Sequence, residues 1–235
     1  MNIDPEVQRR AQVLQALGDP VRLAVVEHLR LQDLSPDRLA AALDVPGNLL
    51  AHHLKVLESA GVIERTHSQH DRRRTYVRLL DDSLDGLLPG PEALAVPRVV
   101  FVCTHNSARS VLAEALWRQV SDVPSASAGT YPAERINPRA RSAARRAGLD
   151  LDSAAPRSID AVITDDDLLV SVCDSVNEEL GPRPNPRLHW SVPDPSPAGT
   201  DAAFAAAVDD LRERVNHLAP RVQYRRHSTS RRAAR

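Results

Sequence analysis

The stretch Val99-Val100-Phe101-Val102-Cys103-Thr104-His105-Asn106-Ser107-Ala108-Arg109-Ser110 restricts this chain more than any other. Its four apolar residues do not alternate, which suits a strand buried on both faces. The run stops at Cys103, and a short polar loop closes at Arg109. From Ser110 the period becomes helical, with Val111, Leu112, Ala115 and Leu116 on one side and Ser110 placed to cap the helix. Strand, tight loop and helix together aim backbone N–H groups and a helix N-terminus at one point, a natural seat for a tetrahedral oxyanion. A thiol in that field is held as the nucleophilic thiolate. The fork of Arg109 can grip two oxygens of the anion.

The bare spacing of Cys103 and Arg109 is weak evidence. Arginine fills 29 of the 235 positions, so a cysteine meets one six residues on roughly one time in eight. Cys173 meets Glu179 instead. A buried thiol at a strand end, packed as a small hydrophobe, is the plain alternative. The apolar strand, Asn106, Ser110 and the helix that follows favour catalysis over it.

Phe101 to Ser110 closely resembles the phosphate loop of the low-molecular-weight protein tyrosine phosphatase superfamily, especially its arsenate reductase branch, and the resemblance spans about residues 97–219. It implies that Cys103 attacks phosphorus or arsenic, that Arg109 binds the oxyanion and that Ser110 supports the thiolate. The same resemblance makes Thr104, His105, Asn106, Ser107 and Ala108 the oxyanion-binding loop, with Asn106 holding its shape. A glycine of the family's loop is His105 here. Asp194, on the loop Pro193-Asp194-Pro195, matches the family's general acid, which protonates the leaving oxygen. Read alone, that Asp-Pro pair is only a turn.

The first third of the chain has a different pattern. Residues 5–17 predict a helix with Val7, Ala11, Leu14 and Leu17 on one face. Asp19-Pro20 and Ser35-Pro36 are cap-then-proline starts for two more helices. Asn48 to Ala60 is a fourth helix, turning Leu50, Leu54 and Leu57 inward and stopping at Gly61. Val62–Thr66 and Thr75–Leu79 read as strands joined by a polar loop. That order is a helix-turn-helix followed by a β-hairpin wing. Between Arg65 and Arg78 five arginines face one acid, Asp71, a net +4 suited to phosphate contacts.

Ala16 to Leu23 and Leu50 to Ile63 resemble the ArsR/SmtB family of metal- and metalloid-responsive repressors. The resemblance implies a homodimer on double-stranded operator DNA, with Asn48, His52, His53 and Lys55 facing the groove and Arg72, Arg73 and Arg74 on the wing. Arsenic-sensing members carry a Cys-x-Cys pair where this chain has Ser35 and Asp37. Residues 1–102 contain no cysteine, so the soft ligands for trivalent arsenic are missing there. His67 and His70 lie on the wing, and no metal site is expected.

The expected architecture is therefore two domains. Residues 1–83 form a mainly α winged helix-turn-helix, 84–96 a Pro/Gly linker, 97–219 an α/β three-layer sandwich with a parallel sheet, and 220–235 a disordered basic tail. Aromatic residues are only 3% of the chain, so Leu, Val, Ile and Ala must build both cores. Two cysteines 70 positions apart make no disulfide framework, and no apolar run is long enough to span a membrane. A cytoplasmic location follows, where a reactive thiol stays reduced.

The reading is a DNA-binding regulator fused to a thiol-dependent arsenate reductase. The alternatives are a low-molecular-weight protein tyrosine phosphatase, or a regulator whose second domain only senses an oxyanion. No bound cofactor is expected, but an external thiol reductant is, of mycothiol-like or thioredoxin/glutaredoxin type. Cys173 matches the first of two relay cysteines of thioredoxin-coupled relatives, but Leu180 stands where the second would be. Cys173 is thus a possible resolving residue. Leu168–Cys173 reads as a buried core strand, and burial of Cys173 in it favours the other route, direct attack of an outside thiol on the Cys103 adduct, as in mycothiol-linked reductases.

Overall fold

The computed structural model describes residues 4–80 and 93–225, and the chain divides into two units, residues 1–91 and 92–235. In the first unit α1 (Pro5–Leu17), α2 (Pro20–Leu29), α3 (Pro36–Leu43) and α4 (Gly47–Ser59) precede an antiparallel hairpin, β1 (Ile63–His67) and β2 (Thr75–Leu79). Asp19 caps α2, accepting from the N–H groups of Val21 and Arg22 at 3.0 and 3.1 Å. Ser35 caps α3 through Arg38 N–H at 3.4 Å. In both cases proline at the first helical position lacks the N–H that would otherwise go unpaired. Asp44 takes a left-handed conformation (φ 52°) to end α3, which short polar side chains tolerate.

Val25, Val26, Leu39, Leu50, Leu54, Leu57, Ile63 and Val77 form the core of this unit. Helix α1 departs from the expected face. Val13, Ala16 and Leu17 are buried, while Val7 and Leu14 are 44% and 52% exposed. The helix spans the expected residues, but it packs along a different stripe, since more than one apolar stripe is available on it.

The second unit is built on a four-stranded parallel sheet in the order β5-β4-β6-β7. These strands are β4 (Val99–Cys103), β5 (Ser125–Gly129), β6 (Leu168–Ser171) and β7 (Arg187–His189). Every residue of β4 is buried, which explains its unbroken apolar run. Helices α5 (Arg109–Val120), α6 (Pro138–Arg146) and α9 (Asp201–Leu218) pack together beside the sheet, with the short α7 (Ile159–Val162) and α8 (Asp174–Glu179) in the connections. Strand order reverses at β4, because the chain goes next to β5 on one side and then crosses to β6 on the other. A crevice opens at such a switch point, at the carboxyl end of the central strand, and Cys103 ends that strand.

Aromatic residues are few, and three of them meet at this strand. The Phe101 ring lies 5.9 Å from Trp117 and 5.8 Å from Trp190, centroid to centroid, and all three are fully buried. Such tilted pairs add about 0.5–1.5 kcal/mol each beyond their area. They fix β4 against α5 on one side and against the segment leading to Asp194 on the other.

Both expected ends of this domain need correcting. Leu94–Val96, assigned to the linker by its sequence, is a strand (β3), and it pairs in parallel with Val222–Tyr224 (β8), within the expected tail. A 3₁₀ turn at Ala219–Arg221 leads into β8. Three-residue strands carry too little pattern to be seen among prolines and arginines. The rest of the proposed linker, 84–92, and of the tail, 226–235, lies outside the described residues. No helix among the described residues is long and apolar enough to cross a membrane.

Candidate active site

The loop after β4 is shaped from outside by three backbone hydrogen bonds. The carbonyls of Thr104, His105 and Ser107 accept from the N–H groups of Tyr131, Ala133 and Asn137 at 2.8, 2.9 and 2.9 Å. In a trans peptide the N–H points opposite to its C=O, so the amides of His105, Asn106 and Ala108 face the loop interior. The entrance segment 130–137 thus turns a run of amides inward, where an oxyanion can take their hydrogen bonds.

Asn106 secures the loop from below. Its backbone is left-handed (φ 48°), a conformation that asparagine tolerates better than most residues. Its Oδ1 accepts from Arg157 N–H at 2.8 Å, and its Nδ2 donates to Ser110 Oγ at 2.9 Å. Ser110 Oγ therefore has its own proton available for Cys103 Sγ, 3.0 Å away. This corrects the expectation that Ser110 caps α5. The helix starts at Arg109, Ala108 is its N-cap residue, and no side chain caps it. An open helix terminus leaves its N–H groups to a ligand.

Gly129, at the end of β5, has no functional mark in the sequence. A Cβ there would lie 2.7 Å from the Thr104 carbonyl oxygen and 2.9 Å from the Asn106 amide nitrogen. Only glycine lets the loop backbone sit this close to the sheet. His105, in the place of a glycine of the resembled family, is exposed, and its Nδ1 lies 3.0 Å from the Tyr131 carbonyl.

Arg109 is buried and reaches across the mouth of the loop. It donates from Nη1 to the Val192 carbonyl and from Nη2 to Asp194 Oδ2, both at 2.9 Å. Asp194 Oδ1 accepts from Ser196 N–H at 2.9 Å. The two residues lie far apart in sequence, and the structure brings them together.

Cys173 belongs to this site as well. It lies beyond the end of β6, at the N-cap of α8, with its Sγ 3.7 Å from Thr104 Oγ1. Burial pushes its thiol pKa up, and a negative Cys103 nearby adds to this, while Arg109 acts the other way. The expectation that Cys173 sits within a buried core strand is corrected, because the strand ends at Ser171 and the thiol turns toward the Cys103 loop. Next to it, Asp174 Oδ1 and His189 Nε2 lie 3.2 Å apart, both buried.

In the helix-turn-helix unit, Asn48, His52 and Lys55 are exposed along α4, and Arg72, Arg73 and Arg74 are exposed on the wing. His53 is not among them. It is 7% exposed, with Nδ1 3.5 Å from Asp19 Oδ1, and it ties α4 to the cap of α2. Adjacent helical positions point about 100° apart, and on α4 that rotation turns His52 outward and His53 toward the core. The wing is also less positive than its composition suggests. Asp71 holds Arg73 through two bonds of 3.0 and 3.1 Å and lies 3.7 Å from Arg74. These interactions keep the Asp71 carboxyl below its usual range, the bond to Arg73 being the main cause. Among the described residues no group of three or more His, Cys, Asp or Glu is placed to hold a metal ion.

Residues 98–228 match the family described as low molecular weight phosphotyrosine protein phosphatase, and residues 17–66 match a helix-turn-helix domain. An arsenate reductase of Bacillus cereus (strain 03BB102) is 32% identical over 126 residues, covering 51% of this chain and 92% of that protein. An arsenate reductase of Bacillus licheniformis is 30% identical over 131 residues, covering 52% of this chain and 94% of its own length. A crystal structure of an arsenate reductase from Archaeoglobus fulgidus is 33% identical, with a TM-score of 0.48, and covers 52% of this chain and 98% of that one.

Proposed function

Since the chain belongs to the low molecular weight phosphotyrosine protein phosphatase family and carries a helix-turn-helix unit ahead of that domain, we propose that it reduces arsenate to arsenite and binds duplex DNA. The observation that carries the first half is the second thiol, Cys173, beside the Cys103 loop. Hydrolysis of a phosphate ester needs one nucleophile at this place. Reduction of As(V) to As(III) needs two electrons, which two thiols supply as they become a disulfide.

In this reading arsenate sits in the amide cradle, and Arg109 turns its fork from Val192 and Asp194 onto two arsenate oxygens. Cys103 attacks arsenic while Ser110 supports its negative charge. Asp194, next to the Arg109 fork, delivers a proton to the departing oxygen, which leaves as water. A second thiolate then attacks Cys103 Sγ. The S–As bond breaks, its electron pair stays on arsenic, and arsenite is released.

Cys173 is the second thiol by position, and the product would be a Cys103–Cys173 disulfide. Leu180 leaves no further cysteine to move that disulfide outward. An external thiol, mycothiol-like or of the thioredoxin/glutaredoxin type, therefore reopens it at the site. The test is arsenite release from arsenate in the presence of each donor, with an aryl phosphate assayed alongside.

The helix-turn-helix unit reads DNA through the exposed face of α4, with His52 and Lys55 toward the bases and the wing on the backbone. The uncovered Val7 and Leu14 of α1 support a homodimer. With no cysteine in residues 1–102, this unit lacks a thiolate site for the arsenite that the other produces. Gel-shift titration of random and selected duplexes tests the DNA reading.

A further inference from the structure

A second cavity, of about 360 Å³, lies in the catalytic unit among α5, β5 and the loop of residues 150–157. Its volume falls within the range of small-molecule sites. The floor is a closed polar group. Glu114 is 6% exposed, accepts the Ser127 hydroxyl at 2.6 Å and pairs with Arg118. Arg98, on another wall, is held by Asp167 through bonds of 3.0 and 2.6 Å and donates to the Val162 carbonyl.

Two charges in the lining are left without opposite partners among the described residues. Arg157 donates one guanidinium N–H to the Ser127 carbonyl at 3.2 Å and meets no carboxylate. Asp150 accepts Asp152 N–H at 2.8 Å and meets no cation. They stand on one loop, line one cavity and do not pair with each other. A simple anion would suit Arg157 but face Asp150, and a simple cation would suit Asp150 but face Arg157. Complementarity therefore favours a ligand that carries both signs.

We propose that this cavity binds a small zwitterion, its carboxylate on Arg157 and its ammonium group on Asp150, and that binding is felt at the catalytic loop. The connection is in the backbone. Arg157 N–H donates to Asn106 Oδ1, and the Arg157 carbonyl accepts Gly129 N–H at 2.8 Å. Thus one residue holds the ligand by its side chain and the oxyanion loop by its main chain. A ligand that orders residue 157 orders Asn106 with it.

The experiment is a backbone amide NMR titration of the full chain, its catalytic loop first saturated with inorganic phosphate. The probes are glycine, β-alanine and γ-aminobutyrate, with acetate and methylammonium as single-charge controls. The expected result is saturable shifts at Ser153, Ala154, Ala155, Arg157, Asn106 and Gly129 with at least one zwitterion, and none with either control. Arg157→Gln and Asp150→Asn should each weaken that binding about tenfold or more. Asp150 is exposed, so its variant tests the site without disturbing the loop's support. Absence of saturable shifts with every zwitterion would overturn the proposal, as would binding that persists in both variants. Equal binding of acetate would reduce the site to an anion site and also contradict it.

Discussion

Arg109 Nη2 donates to Asp194 Oδ2 at 2.9 Å, joining the oxyanion loop to a segment 85 residues further along. Each charge neutralises the other, and an arriving oxyanion takes the place of the carboxylate on the guanidinium. Asp194→Asn should keep the hydrogen bond but lose the proton. We expect kcat for arsenate to fall by about 10²–10⁴ with a small change in KM, as measured by steady-state kinetics. A fall in kcat/KM through KM alone would assign Asp194 to binding rather than proton transfer.

Gly129→Ala should remove catalysis without touching a reacting atom. The new Cβ meets main-chain atoms of Thr104 and Asn106 at 2.7 and 2.9 Å, which cannot swing aside as a side chain can. We expect loss of about 1–3 kcal/mol of stability and of phosphate binding by calorimetry, with DNA affinity unchanged. Normal phosphate affinity in this variant would mean that the loop tolerates displacement.

Cys173 sets a pH dependence. Its pKa is raised by burial, so its thiolate fraction is smaller than that of a free thiol at any given pH. If it resolves the Cys103 adduct, the rate of disulfide formation rises with pH through and beyond the ordinary thiol range. The same shift has a consequence for folding. The stability from keeping this thiol neutral is fully present below the thiol's unfolded value and is lost as pH climbs above it. Rapid-quench measurement of the disulfide from about pH 6 to 10 checks the rate. Cys173→Ser should stop at the Cys103–arsenate adduct, releasing no arsenite, unless an external thiol attacks Cys103 directly. Near-normal turnover of that variant would support the direct route.

On the wing, Asp71 restrains the very arginines that would meet phosphate. Asp71→Asn should therefore raise affinity for duplexes of any sequence. Replacing Arg72, Arg73 and Arg74 with alanine should lower it and flatten the log–log salt slope by about 0.9 for each phosphate no longer neutralised. His52→Ala should change which sequence is preferred, whereas His53→Ala should lower thermal stability by removing the tie to Asp19. Fluorescence anisotropy across a salt series separates the DNA-binding outcomes, and thermal unfolding reads the last.

Strong periodicities are legible in the sequence. Val99–Val102 reads as a doubly buried strand because nothing polar interrupts it, and the cap-proline pairs at Asp19 and Ser35 mark two helix starts. Elements defined by partners rather than by pattern are not legible. Leu94–Val96 and Val222–Tyr224 form a sheet only because segments 128 positions apart meet. Ser110 looks like a cap by residue type, yet the Asn106 amide and the Cys103 thiol claim its hydroxyl. His53 matches its neighbour His52 in composition, and only the helix's rotation against Asp19 tells them apart. Arg157 supports the loop through main-chain atoms, which every residue has, so its identity carries little signal, and nothing in the sequence shows that Gly129 lies against the loop.

The most direct test of the account is arsenite formation from arsenate by the full chain with a defined external thiol. The prediction is repeated turnover, one arsenite for each pair of thiols oxidised, abolished in Cys103→Ser while its DNA binding persists. Arsenite no faster than in Cys103→Ser, together with Cys103-dependent hydrolysis of an aryl phosphate, would contradict it.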